Sequence, residues 1–390
     1  MSDLRITRGT VLLASDGPTK ADLTISGGRI DRVGGGAGGG PGGGPGGGVL
    51  DASGLLVLPG IVDLHGDAFE RQIQPRPGVD FPPDLALRDT ESQLLANGIT
   101  TAFHGVTLSW EPGLRSLTAW RALLAALDAG SWTCDMRVHL RWEAYNLEAL
   151  DTAIADIEAG RVHLLAFNDH TPSILRKLQD PVEGAKYSGR AGMKMQAFRT
   201  MAETVASRAD AVPAALDRIA AAARAAGLPM ASHDDDTIAV RESFRSRGAR
   251  ICEFPMAEEV GRAAVEAGDF VAMGCPNVVR GGSHLGWASA ARLAEAGVCT
   301  VLTSDYYYPA MMRAAFILAE RGVLDLPRAW ALISENPARA GGLTDRGTIE
   351  PGKRADLVLV DPATCRAVAT IVAGRIASLT AEGSGRLSAG

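Results

Sequence analysis

The segment Leu58-Pro-Gly-Ile-Val-Asp-Leu-His65-Gly-Asp67 decides how this chain is read. Pro and Gly punctuate its start, an apolar run follows, and the run ends in His-x-Asp. Strand side chains alternate with period two, so His65 and Asp67 point the same way. Two ligand-type groups then converge at the C-terminal end of a strand, where the active sites of α/β barrels lie. Taken alone, the segment is equally a capped strand with a hydrogen-bonded histidine.

Outward from this strand the same unit recurs. From Leu55 to about Arg339 short apolar runs alternate with Ala-rich amphipathic stretches, the signature of repeated βα units and a parallel sheet. The pattern predicts strands at Ile61–Leu64, Thr100–Phe103, Met136–Arg141, Val162–Asn168, Met230–Ser232, Ile251–Glu253, Phe270–Met273 and Thr300–Thr303. Eight strands suit closure into a (β/α)8 TIM barrel. Helices are predicted over Leu117–Ala129, Ala214–Ala226 and Ala257–Ala267, where small and apolar residues recur at three- and four-residue spacing. Leu4 to Ile30 alternates apolar runs with Gly and Asp turns, and Gly347-Thr-Ile-Glu-Pro-Gly-Lys-Arg-Ala-Asp-Leu-Val-Leu-Val returns to turn-and-strand character. Chain termini usually lie close together, so residues 1–54 and 347–390 are read as two parts of one small β-sandwich domain beside a barrel of residues 55–346. The tract from Gly34 to Gly48 has too little side chain to pack and is read as a flexible loop between strands.

Composition narrows the function classes. The 390 residues are 46% hydrophobic and 22% charged, and 39 Lys+Arg against 45 Asp+Glu give a formal charge of −6, which speaks against disorder and against a nucleic-acid partner held by bulk charge. No early segment pairs a basic start with an apolar run, and the apolar stretches elsewhere fall short of the roughly 20 residues of a membrane span. A soluble, cytoplasmic protein is expected. The five cysteines are scattered and free of any CxxC, so neither a disulfide framework nor a zinc ribbon is suggested.

The other predicted strand ends repeat the chemistry of the first. Met230-Ala-Ser-His233-Asp-Asp-Asp places a histidine and three carboxylates after a strand, and Val301-Leu-Thr-Ser-Asp305 ends one with a carboxylate. In Val138-His139-Leu-Arg141-Trp-Glu143 the polar residues alternate with apolar ones, which turns His139, Arg141 and Glu143 toward the barrel interior, where unpaired charge is costly. In Leu165-Ala-Phe-Asn168-Asp169-His170 the small-then-polar face carries Ala166, Asn168 and His170, so His170 ranks above Asp169 as a ligand. Five strand ends offering His, Asp or Glu point to a metal site. Mixed His/carboxylate ligation without thiolate favours zinc, with manganese or iron(II) as alternatives. His104 and His163 are read as spectators.

A second constellation concerns anions. In Cys275-Pro-Asn-Val-Val-Arg280-Gly-Gly-Ser-His284, Gly281 and Gly282 would let backbone N–H groups turn toward one point, while Arg280, Ser283 and His284 add donors, making an anion nest. Gln74-Pro-Arg76-Pro-Gly and Ala185-Lys186-Tyr187-Ser-Gly-Arg190 are placed in long βα loops, which in compact domains are commonly functional.

At this point the chain resembles the amidohydrolase superfamily, through its Pro-Gly-Ile-Val-Asp-Leu-His start, its flanking β-domain and its closing Gly-Lys-Arg-Ala-Asp-Leu-Val-Leu-Val. Within it, His65-Gly-Asp67, Pro75-Arg-Pro-Gly-Val-Asp80, His139-Leu-Arg-Trp-Glu143, Asn168-Asp-His170, Lys186-Tyr-Ser188, Ala231-Ser-His-Asp-Asp235, Asn277-Val-Val-Arg-Gly-Gly-Ser-His284 and Ser304-Asp-Tyr-Tyr resemble the diphosphatases of carbon–phosphorus lyase operons. The resemblance implies hydrolysis of α-D-ribose 1-methylphosphonate 5-triphosphate, or a related phosphorylated sugar, to the 5-phosphate and pyrophosphate. It departs at Phe103-His104-Gly-Val, where those enzymes carry an acidic residue after the second strand.

Together these readings give one or two divalent ions on His65, Asp67, Glu143, His170 and His233, with Asp169 as a further candidate ligand. Asp305 is the general base for an attacking water. Arg76, Lys186, Tyr187, Arg280, Gly281, Gly282, Ser283 and His284 hold the phosphate chain. The expected partner is a small phosphorylated molecule, with no nucleic acid or membrane, and a homo-oligomer, dimers being common among such enzymes. The competing functions are hydrolysis of a C–N bond in a small amide or nucleobase, and a non-catalytic scaffold.

Overall fold

The structure is a computed structural model and describes residues 3–13, 17–34, 48–76, 78–282 and 289–389. The glycine tract read as a loop and the Ser283–His284 half of the anion nest lie largely outside the described residues.

Eight parallel strands form the (β/α)8 barrel expected from the sequence: Ile61–Gly66, Ile99–Leu108, Asp135–Glu143, Leu164–Asn168, Met230–His233, Ile251–Glu253, Phe270–Gly274 and Val301–Thr303. Each pairs with the next in chain order. Val138, Leu140, Trp142, Leu165 and Phe167 point out onto the helices, which sends their alternate neighbours inward. The helix Leu117–Ala129 has the predicted bounds; Ser116 caps it by accepting from the Ala119 N–H, and Trp120, Leu123 and Leu124 face the core. The helices Val212–Ala225 and Glu258–Glu266 fall within two residues of their predicted limits.

The seam between the first and last strands closes differently. Gly66 and Asp305 form one parallel bridge, with the Asp305 N–H donating to the His65 carbonyl and the Asp67 N–H to the Asp305 carbonyl, each at 2.9 Å. Beneath it the buried Asp63 carboxylate accepts from the Ser304 N–H at 3.0 Å and the Ser304 hydroxyl at 2.5 Å. Burial pushes the Asp63 carboxyl up to about 6. Gly66 has to be glycine here, because a Cβ would meet Asp63 Oδ2 at 2.6 Å and Ser304 Oγ at 2.8 Å.

A separate nine-stranded sheet draws strands from both ends of the chain. Leu56–Pro59 pairs antiparallel with Leu357–Asp361, and Gly48–Asp51 pairs with Leu387–Ala389. The strand Leu4–Leu13 serves two neighbours: Leu4–Thr7 pairs with Gly48–Asp51, whereas Thr10 and Val11 pair with Leu56 and Val57. The change falls at an irregularity around Arg8, whose φ is 62°. Gly9 lets Val57 approach, since a Cβ would lie 2.6 Å from Val57 Cγ2. Such a break lets one strand pass from one layer to the next.

The loop reading of Ala185–Arg190 is corrected. These residues belong to the helix Pro181–Arg190, because Asp180 accepts from the Val182 and Glu183 N–H groups and proline occupies the first turn. An Asp-Pro start outweighs the two helix glycines. Replacing Asp63 with Ala removes the acceptor for both Ser304 donors in a buried setting, and is expected to lower stability by about 2–4 kcal/mol in urea unfolding. A loss below about 1 kcal/mol would show that the clasp does not hold the seam.

Candidate active site

Inside the mouth of the barrel, the ends of strands one, three, five and six converge on one buried carboxylate. Glu253 Oε2 lies 3.1 Å from His65 Nδ1, 3.3 Å from His233 Nδ1 and 3.8 Å from His139 Nε2. Tautomers follow from the partners. The Leu64 carbonyl, 3.0 Å from His139 Nδ1, can only accept, so that nitrogen carries the proton and Nε2 turns a lone pair toward Glu253. Arg141 Nη2 is 3.1 Å from His233 Nε2 and can only donate, so the His233 proton sits on Nδ1. Burial pushes His139 down to about 3 and holds His65 and His233 well below the usual imidazole range.

Two groups of potential ligands result: buried His65, His139 and Glu253, and half-buried His170, His233 and Asp234, the ligand atoms of each lying within 4.8 Å of one another. A divalent cation fits the first on chemical grounds. His139 Nε2 and Glu253 Oε1 are buried with no hydrogen-bond partner, and two electron-rich groups facing each other call for a positive charge between them. Asp234 and Phe254, which follow strands five and six, and Asp305, two residues past strand eight, have φ values of 58°, 52° and 55°. Left-handed backbone at non-glycine residues is strained and clusters at functional sites.

The residues expected from sequence divide. His65, His170 and His233 enter the two groups. Glu143, expected as a ligand, accepts from His170 Nδ1 at 2.5 Å and from the His170 N–H at 3.2 Å, so it orients His170. Burial opposes charge on His170, yet Glu143 and Asp234 outweigh it and hold the imidazole at about 9. Asp169 is exposed and outside both groups, because it continues the outward face of Leu165 and Phe167. Asp67 borders the site with Oδ2 3.5 Å from Arg141, and burial raises its carboxyl to about 6. Burial, then Asp67, raises Asp305 to about 7, and Gly274 makes room for it, since a Cβ there would lie 3.0 Å from Asp305 Oδ2.

The anion-binding set is not assembled as the sequence suggested. The Gly281 and Gly282 N–H groups donate to the Val278 and Asn277 carbonyls at 3.2 and 2.9 Å, so they close the helix Cys275–Arg280 instead of facing an anion. Arg280 and Arg76 are exposed. Lys186 pairs with Glu183 one helical turn away, and the Tyr187 hydroxyl accepts from Lys177 at 3.2 Å. His163 Nδ1 accepts from the Val138 N–H at 3.1 Å, a structural role. His104 points outward against Phe69, with ring centroids 5.3 Å apart, while Phe103 and Gly105 face in. The departure at His104 therefore lies on the helix side of its strand.

The sequence does not single out Glu253, Asp234 or His139 as candidate ligands, although all three enter the two groups. Glu253 ended a correctly predicted strand and His139 had been placed inward, so strand position carried the signal for both. Two outcomes follow. Replacing His139 with Ala should weaken metal retention by about tenfold or more, measured as metal content after dialysis; unchanged content would exclude His139 as a ligand. His104 has both ring nitrogens unpartnered, and burial pushes it down to about 4. A depressed imidazole is neutral in the fold, so its contribution is present above pH 6.5 and is lost as pH falls toward 4, at up to about 1.4 kcal/mol per pH unit. His104→Leu should flatten that part of the acid slope in urea midpoints at pH 5 and 7; an unchanged slope would contradict this.

Comparison with known proteins places this geometry. Residues 84–378 match the family described as Amidohydrolase family. The chain is 34% identical over 320 residues to the alpha-D-ribose 1-methylphosphonate 5-triphosphate diphosphatase of Escherichia coli (strain K12), covering 80% of this chain and 84% of that one. It is 28% identical over 341 residues to an adenine deaminase of Methylobacterium nodulans, of whose length the match covers 50%. Among solved structures, the beta-aspartyl dipeptidase of Fervidobacterium islandicum AW-1 shares the fold with a TM-score of 0.66 at 16% identity, over 97% of both chains. Family match, relative and barrel agree: the chain belongs to the amidohydrolase family and is a hydrolase of that group.

Proposed function

We propose that this hydrolase cleaves a phosphoric anhydride, with α-D-ribose 1-methylphosphonate 5-triphosphate or a related phosphorylated sugar as substrate and the 5-phosphate and pyrophosphate as products. The observation that carries this reading is the 34% identity to the Escherichia coli diphosphatase over 80% of the chain.

One or two divalent ions, zinc foremost, would be held by His65, His139 and Glu253 and by His170, His233 and Asp234, the second group once His170 gives up a proton and His233 Nε2 its contact with Arg141, and would supply a water of lowered pKa and neutralisation of phosphoryl charge. The remaining roles belong to the chain. Asp305, raised to about 7 by burial and Asp67, is poised to take the proton of an attacking water near neutral pH. Glu143 fixes the ring of His170. Glu253 receives the protons of His65 and His233 and fixes their orientation. Arg76 and Arg280, exposed on the mouth of the barrel, are proposed contacts for the outer phosphates, whereas Lys186 and Tyr187 would have to leave partners on their own helix and its neighbour. Pyrophosphate is a good leaving group once neutralised, so positioning and electrostatics supply most of the rate.

A second reading, hydrolysis of a C–N bond, is supported by the 28% identity to an adenine deaminase. The same site would serve, with a carbon electrophile. Pyrophosphate release from sugar and nucleoside triphosphates, run beside ammonia release from nucleobases and amides, separates the two. Asp305→Asn is expected to cut turnover by about 10²-fold or more with metal content retained. Activity within a few fold of the parent would remove Asp305 from the proton transfer.

A further inference from the structure

Among the described residues, Arg141 is a charged group of the site that neither the ligand groups nor the proton transfer uses. It stands on the third barrel strand, turned inward because Leu140 and Trp142 pack outward, and its side chain is 8% exposed. Gly105 on the adjoining strand makes its path possible, since a Cβ there would lie 3.3 Å from Arg141 Cδ. The guanidinium ends between Asp67 and His233, beside both ligand groups.

A guanidinium carries five N–H donors and no acceptor. Arg141 makes two contacts with them, a long one of 3.5 Å to Asp67 and one of 3.1 Å to the neutral His233 ring, and its buried Nε has no partner. The other buried arginines of the same molecule behave differently. Arg241, also with an unpaired Nε, spreads its two terminal nitrogens over Ser232, Asp235, Asp269 and the carbonyls of Ala249 and Ile251. Arg346 engages Thr101, Asp135, Asp345 and Asp356. Where an arginine is structural, this fold surrounds it with acceptors. Around Arg141 it places only two acceptors among the described residues, one of them at 3.5 Å, and burying an under-paired cation is costly unless a ligand completes it.

We infer that Arg141 binds an oxyanion of the substrate, its planar fork receiving two oxygens of one anionic group next to the reacting atom. On the reading proposed above, on which this assignment rests for its substrate, those are non-bridging oxygens of the phosphoryl group under attack. A carboxylate offers the same geometry, so the two sources need separate arms.

The test uses the full-length, metal-loaded protein. Calorimetric titration with inorganic phosphate, and separately with acetate, is compared among the parent, Arg141→Gln and Arg141→Lys, with metal content and thermal midpoint recorded for each. Arg141→Gln is expected to weaken phosphate binding about tenfold or more at unchanged metal content, and Arg141→Lys, which keeps charge without the fork, to weaken it several-fold. Phosphate affinity within twofold of the parent in either folded variant would overturn the assignment. So would loss of affinity only in step with loss of metal. Weakening confined to acetate would reassign the anion as a carboxylate and overturn the phosphoryl form. If no triphosphate releases pyrophosphate yet phosphate binding still depends on Arg141, the proposed reaction falls and the oxyanion site stands.

Discussion

The interior of this barrel is organised around one buried carboxyl group, which burial pushes above the usual range. Glu253 arrives on the short sixth strand and is reached by histidines from the first and fifth strands, with a third from strand three facing it at 3.8 Å. A carboxylate so far from water is held by what surrounds it. Each imidazole that donates to it is thereby fixed in tautomer and in ring orientation. The chain accepts strained backbone at Asp234, Phe254 and Asp305 to bring these groups together.

The seam of the barrel shows the same coupling of fold and site. The last strand meets the first through a backbone bridge at Gly66 and Asp305 and through the Asp63 side chain, at the level where the site begins. His65, Asp67 and Asp305 flank that closure, and the glycines at 66 and 274 are the places where a methyl group would collide with a carboxylate. Closure and chemistry therefore use the same few residues.

Much of this was legible in the sequence because strands of a barrel alternate and their ends are where ligands gather. His65, His139, Arg141 and Glu143 could be placed by counting in twos, and seven of the eight strands lie within two residues of their expected limits, the second running five residues past Phe103 to Leu108. What escaped depends on contacts between distant elements. Glu143 looks like a ligand until its proximity to His170 is known. The glycines at 281 and 282 read as an anion nest because nothing local reveals that their N–H groups close a helix. The Lys186 segment reads as part of a long βα loop unless the Asp-Pro that starts a helix at Pro181 is recognised.

The pairing of Leu56–Pro59 with Leu357–Asp361 has a consequence for how the protein is made. About three hundred residues of barrel separate these partners, so on the ribosome the strand Leu56–Pro59 emerges with one side bare and must wait until residues 357–361 have been synthesised. During that interval a row of unpaired peptide groups at Leu56–Pro59 is open to wrong neighbours, and the small sheet is completed only after the barrel has been made. The pairing thus ties the two ends of the barrel segment together once its last residues have been made.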